Sequence, residues 1–347
     1  MHMTELETPS VLIDLDRMEA NIQRMQEHCD SLGLAFRPHI KTHKIPAIAR
    51  LQIDAGAKGL ACQKLTEAEV FADAGFNDLL LPYNIIGAAK LTRLTDLALY
   101  NRVTVAADSE YVIRGLVEAA QAAGITLRVA VDIATEIERT GANASRAIQL
   151  ARIIDRSDHL VFAGLMVYPS NATIRPVLQE ILDQLHQDGI GVEMVSGGGT
   201  GAALQAHEVP ELTELRVGTY VFNDWTTVRR GWTTLEHCAM TVTATVVSRP
   251  SENRAILDAG SKTLTPETVD GGYGHIVEYP QARIFKLNEE HGFVDVSACD
   301  PAPDVGDVVR IVPVHTCVVT NMHGTIYGVR GDQVVTEWEV AARGKVW

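Results

Sequence analysis

The chain has 347 residues, 46% hydrophobic and 21% charged, the balance of an ordinary soluble globule with room for one large domain and a smaller one. Its 44 acidic residues against 30 basic ones give a formal charge of −14. That field repels a phosphate backbone, so neither nucleic acid nor an anionic membrane is an expected partner, although a local site can still bind a small anion.

The opening MHMTELETPS has no basic stretch followed by an apolar core and does not read as a signal peptide. No apolar run approaches the ~20 residues a membrane helix needs. The five cysteines are scattered, odd in number and without CxxC spacing, which fits reduced thiols in a cytoplasm better than a disulfide framework.

In chain order, helical spacing comes first, over Asp16–Leu32 with Asp16 as the expected N-cap. Eight short apolar runs follow: Leu34–Ile40, Gly59–Cys62, Leu79–Pro82, Val103–Ala106, Leu127–Val131, Val161–Met166, Val192–Val195 and Leu215–Val221. Between them lie helical segments such as Thr66–Ala74, Ser109–Ala123, Ala144–Ile154 and Arg175–Gln187, with stop signals at Gly75, Gly124 and Gly189. Eight β-then-α units predict an α/β fold, a (β/α)8 TIM-type barrel. A doubly wound open sheet is the rival, but its glycine-rich first turn is missing. From about Thr234 the texture changes to strand-like runs, Ala239–Val247, Arg254–Leu257, Val308–Val314 and Val334–Val340. The expected organisation is therefore a barrel over residues 1–233 and a smaller all-β domain over 234–347, with the first ten or so residues adding a strand to the second.

A barrel of this kind carries its site at the C-terminal ends of the strands. The first run ends in Arg37-Pro38-His39-Ile40-Lys41-Thr42-His43-Lys44. A lysine closing a buried strand, among apolar neighbours and other cations, presents a nucleophilic amine able to form an imine with an aldehyde. The plainer reading is a surface lysine cluster. The seventh run ends in Ser196-Gly197-Gly198-Gly199-Thr200-Gly201, where converging N–H groups and a helix start make a phosphate cradle, or else a flexible turn. Gln63, Arg139, Tyr168 and Tyr220 close other strands. Together they offer a phosphorylated pyridine ring a cation, hydroxyls and an amide. In the second domain, His315 and Cys317 stand two apart in an apolar run; on a strand they share a face and form a zinc-like ligand pair with open positions. Chance spacing with a core cysteine is the alternative.

RPHIKTHK (Arg37–Lys44) resembles the cofactor-lysine segment of the D-threonine aldolase and D-serine dehydratase family, fold-type III pyridoxal phosphate enzymes with an alanine racemase-like barrel and a β domain. CQKLTEAEVFADAGF (Cys62–Phe76), Arg139-Thr140-Gly141, SGGGTG (Ser196–Gly201), ELRVGTYVFND (Glu214–Asp224), DAGSK (Asp258–Lys262), EEHG (Glu289–Gly292), VPVHTC (Val312–Cys317) and the terminal AARGKVW extend the resemblance, in order, over nearly the whole chain. It implies pyridoxal 5′-phosphate on Lys41, with Gln63, Arg139, Tyr168, Ser196, Gly198, Gly199, Thr200 and Tyr220 contacting the cofactor. It further implies a divalent zinc or manganese ion on His315 and Cys317, and a homodimer.

The implied activity is an aldolase splitting β-hydroxy-D-amino acids, D-threonine-like, to glycine and an aldehyde. Aldolases of the group often carry Asp where Cys317 stands, and dehydratases carry Cys; a D-serine dehydratase-type lyase giving a keto acid and ammonia is therefore the alternative. An amino-acid racemase using Tyr273 or Tyr279 as second base, and a non-catalytic cofactor carrier, are further readings; the residues beyond Thr234 argue against the carrier.

Overall fold

The structure, a computed structural model, describes residues 1–347. The chain opens with β1 (Ser10–Asp14), which runs straight into α1 (Leu15–Ser31). Asp14 Oδ1 accepts the N–H of Arg17 at 3.0 Å, so the helix is capped by Asp14 and not by Asp16 as expected. No turn separates strand from helix, so the last strand residue takes the capping position. Asp16 lies in the first turn and pairs with Arg330.

One compact unit comprises Met25–Lys41, Ile48–Gly218 and Lys345–Trp347. Its eight strands are β2 (Ala35–Phe36), β3 (Leu60–Ala61), β4 (Asp78–Asn84), β5 (Arg102–Ala107), β6 (Leu127–Ile133), β7 (Leu160–Val167), β8 (Met194–Gly198) and β9 (Glu214–Arg216), paired in parallel in the order β2-β9-β8-β7-β6-β5-β4-β3. The two ends meet through a parallel bridge between His39 and Ala61, with Phe36 O and Pro38 O accepting the N–H groups of Lys58 and Ala61. The sheet thus closes on itself as the expected (β/α)8 barrel. The intervening helices are α2 (Pro46–Asp54), α3 (Leu65–Asp73), α4 (Ala88–Ala98), α5 (Glu110–Ala123), α6 (Ala144–Asp155), α7 (Arg175–Gln187) and the short α8 (Thr200–Leu204). α5 shows why they form. Val112, Ile113, Leu116 and Ala120 recur at helical spacing and are buried, and Gly124 ends the helix at φ 67°, which a side chain would strain. Leu80, Ala106, Ala130, Met166 and Met194, one from each of β4 to β8, form a buried apolar cluster, so the unit is packed and not a pore.

The other unit comprises Met1–Arg24, Thr42–Ala47 and Thr219–Gly344. Beyond the short helix α9 (Trp225–Arg229) it is built on β10 (Met240–Ser251), β11 (Arg254–Leu257), β12 (His275–Ile276), β13 (Arg283–Leu287), β14 (Gly292–Asp295), β15 (Val308–Val312), β16 (Thr325–Arg330) and β17 (Gln333–Glu339), with α10 (Thr316–Met322) between β15 and β16. The sheet order is β13-β14-β11-β10-β1-β16-β17, and β15 pairs with both β10 and β12. The N-terminal strand β1 sits inside this sheet, antiparallel to β10 and parallel to β16. The strand expected through Cys317 stops at Val312. Pro313 brings no N–H to extend the ladder, His315 becomes the N-cap of α10, and Cys317 lies in its first turn. No helix is long and apolar enough to cross a membrane.

Candidate active site

The barrel unit gathers most of the residues expected around a cofactor at the C-terminal ends of its strands. Lys41 sits half-buried in the 3-10 turn Ile40–Thr42 that follows β2. Two residues earlier, the His39 ring is buried, with Nε2 3.0 Å from Gln63 Oε1. Gln63 is set in turn by Glu67, whose Oε2 accepts the backbone N–H groups of Gln63 and Lys64 at 2.7 and 3.1 Å. Burial first, then the positive charges of Lys41 and Arg216, hold the His39 imidazole well below its ordinary pKa, so it is neutral. Lys41, His39, Gln63 and Arg216 thus form one electrostatic neighbourhood.

Arg216, which closes β9, was not singled out in the sequence. It is buried, and its Nη1 and Nη2 donate to Ser196 O at 2.6 Å and Val167 O at 3.2 Å, tying together the ends of three strands. Beneath it, Glu214 Oε2 accepts from Arg37 Nε at 3.0 Å and Oε1 accepts from Ser196 Oγ at 2.6 Å, while Arg37 Nη1 reaches Asp78 Oδ1 at 2.7 Å. The Ser196 hydroxyl is therefore directed at Glu214 inside the barrel. Nothing local marks Arg37 as a partner of this pair, because it follows β2 while Glu214 and Arg216 both lie on β9, and 177 residues of chain separate Arg37 from Glu214.

The glycine turn divides into two roles. A Cβ on Gly197 would stand 2.6 Å from Ser170 Oγ, and one on Gly198 2.6 Å from Arg216 O. Both positions are glycine because protein packs against them. The Gly198 N–H donates to Ser170 Oγ at 3.1 Å. Gly199, at φ 108°, then turns the chain into α8, and the N–H groups of Thr200 and Gly201 open that helix without an intrahelical acceptor. These amides, not the Gly198 N–H, are the donors left for an anion. Tyr168 faces the turn, its Cε2 3.6 Å from the place a Gly199 Cβ would take, and the Arg139 guanidinium lies 4.9 Å from the centre of the Tyr168 ring. Thr135 Oγ1 fixes the same segment by donating to Tyr168 O at 2.8 Å. Asp132, at the end of β6, was also missed. Burial raises its carboxyl pKa, against the pull of the Thr140 hydroxyl, which donates to Oδ2 at 2.8 Å.

Tyr220, His315 and Cys317 belong to the β-sheet unit. Tyr220 is buried in the 3-10 turn Thr219–Val221. His315 Nδ1 lies 2.8 Å from Glu267 Oε2, and Thr42 Oγ1 lies 3.2 Å from Cys317 Sγ. The loop before α10 is braced by α9: Trp225 N donates to Pro313 O at 2.9 Å and Thr226 Oγ1 to Val314 O at 2.8 Å. Burial alone would lower the His315 pKa, but its hydrogen bond to Cys317 and the Glu267 carboxylate raise it to about 9. The pair remains in contact although it does not lie on a strand. No three His, Cys, Asp or Glu side chains are grouped as a metal cage.

Two domain families match the chain: alanine racemase, N-terminal domain, over residues 13–224, and the serine dehydratase domain over residues 239–329. The chain is 34% identical to a D-threonine aldolase of an Arthrobacter species over 99% of its own length and 94% of the relative's. It is 29% identical to a D-threo-3-hydroxyaspartate dehydratase of Delftia sp. strain HT23, over 96% of this chain and 97% of that one. The crystal structure of D-threonine aldolase from Filomicrobium marinum superposes with a TM-score of 0.92 at 34% identity, covering 99% and 97% of the two chains. A barrel ending in Lys41 and a glycine turn, followed by a β-sheet unit bearing His315 and Cys317, thus comes with end-to-end likeness, and the chain belongs to the D-threonine aldolase and D-serine dehydratase family, built on the alanine racemase-type barrel.

Proposed function

We propose that the protein is a pyridoxal 5′-phosphate- and divalent metal-dependent aldolase that cleaves β-hydroxy-D-amino acids to glycine and an aldehyde. The observation that carries this reading is Lys41 in the 3-10 turn that follows β2, in one neighbourhood with neutral His39, Gln63 and Arg216. The chain's likeness to D-threonine aldolase over 99% of its length supports it.

The residues present fit both groups. For the cofactor, Lys41 offers an amine, the start of α8 offers amides to a phosphate, and Arg139 on Tyr168 offers a cation beside that turn. For the metal, His315 and Cys317 provide one imidazole and one thiol and leave positions open to water or substrate. When bound, the cofactor supplies an electron sink at Cα and the metal supplies Lewis acidity at the substrate's β-oxygen.

The chain's own residues do the rest. Lys41 would hold the cofactor through its side-chain amine. Arg216 holds the ends of β7 and β8 at fixed spacing, so the glycine turn and Tyr168 keep their relation. Zinc or manganese, a homodimer and a cytoplasmic setting complete the reading.

Incubation with D-threonine, followed by separate assays for acetaldehyde with glycine and for keto acid with ammonia, tests it. Aldehyde and glycine without keto acid are expected. Cys317 favours the second reading, a dehydratase, and keto acid with ammonia as the main products would establish that instead. Interconversion of amino-acid enantiomers without cleavage would establish a racemase and overturn both.

A further inference from the structure

His315 Nδ1 stands 2.8 Å from Glu267 Oε2. An ionised carboxylate only accepts hydrogen bonds, so Nδ1 is the ring atom that carries hydrogen. Once an incoming metal ion displaces the second proton of the ring, Nε2 is the nitrogen left with a lone pair to offer. Glu267 comes from the segment between β11 and β12, 48 residues from His315 along the chain. It is not loosely placed: its N–H donates to the hydroxyl of buried Thr265 at 3.2 Å, and Pro266 stiffens the step between them. The loop carrying His315 is held separately, by Trp225 N on Pro313 O and Thr226 Oγ1 on Val314 O. Ring and carboxylate thus meet from two independently fixed segments.

We propose that Glu267 is a positioning residue for a divalent metal centre, accepting the Nδ1–H of His315 so that Nε2 and the Cys317 thiolate face the ion together. This rests on the reading of His315 and Cys317 as metal ligands. A carboxylate behind a ligating imidazole fixes its tautomer and ring plane and increases its basicity, and loss of such a partner weakens metal binding about 10- to 100-fold. Glu267 therefore contributes affinity without touching metal or substrate.

The test uses the full-length, cofactor-loaded protein and Co2+ as probe, with affinity read by chelator competition and coordination read from the visible ligand-field spectrum. Glu267→Ala is expected to bind Co2+ about 10- to 100-fold more weakly, with the intensity of the ligand-field bands at saturation preserved. Glu267→Gln, which keeps an acceptor but not the charge, should fall between. Because Glu267 is half-exposed, thermal midpoint and cofactor absorbance should not change. Affinity of Glu267→Ala within about twofold of the unchanged protein overturns the proposal. A changed ligand-field intensity also overturns it, since Glu267 would then be a ligand. His315→Ala and Cys317→Ala decide the underlying reading separately: if both retain Co2+ binding, the metal pair itself is misassigned, whatever Glu267→Ala does.

Discussion

Thr42 Oγ1 lies 3.2 Å from Cys317 Sγ, so the residue directly after Lys41 in the chain is hydrogen-bonded to a proposed metal ligand. The hydroxyl is the group with a proton to give to a thiolate. Thr42→Val removes that donor at nearly constant volume. A hydrogen bond of this kind is worth about 1 kcal/mol, so divalent-metal affinity should fall about fivefold, with Thr42→Ser restoring it. Chelator competition checks this, and identical affinities for the threonine and valine forms would show that the contact contributes nothing.

Lys41 is the one side chain whose loss should remove both attachment and turnover. Lys41→Ala is expected to lose the visible absorbance of the bound cofactor and to lower turnover on the order of a thousandfold. Lys41→Arg, which keeps the charge but not the nucleophile, should behave in the same way. Borohydride reduction followed by peptide mapping should label the Lys41 peptide. A label elsewhere would reassign the cofactor lysine.

Glu214 compensates buried charge. It accepts from Arg37 and from Ser196, and all three side chains are withdrawn from solvent. Glu214→Ala leaves Arg37 with Asp78 as its remaining carboxylate partner, and breaking a buried pair in this way costs about 3–5 kcal/mol. Urea unfolding should show that loss. A change well under 1 kcal/mol would mean that Asp78 suffices.

The pH dependence of stability should carry the signature of His39. Burial, with Lys41 and Arg216, depresses its folded-state pKa below the ordinary 6.5. Between the two values the unfolded chain binds the extra proton, so this contribution is complete above about 6.5 and is lost as the pH falls below it. Thermal midpoints of the cofactor-free protein at pH 7.5 and 5.5 should differ more in the unchanged protein than in His39→Asn. An equal drop in both would assign the acid sensitivity to other groups.

Much of the barrel was legible in the amino-acid order. Parallel strands buried on both faces read as continuous apolar runs, which located β4 to β8, and α7 falls on Arg175–Gln187 as its spacing predicts. Asp14 was harder to see as the cap of α1, since Asp14 and Asp16 are both acceptable by residue type and only the position where β1 ends selects between them. In the same way, an apolar run from Val312 to Val318 favours a strand by composition, whereas Pro313 and the bracing of the loop by α9 make His315 a helix cap.

The amino-acid sequence by itself determined the β-then-α alternation, the change of texture near Thr234, and the chemical types at the strand ends, because these depend on period, local propensity and side-chain chemistry. The tertiary structure alone decided what those side chains face: Ser196 turned to Glu214, the Gly198 amide given to Ser170, His39 kept neutral by burial and by Lys41 and Arg216, and His315 backed by Glu267. Each of these depends on residues distant in the chain brought within hydrogen-bond or electrostatic reach, and local periodicity carries no record of such distances.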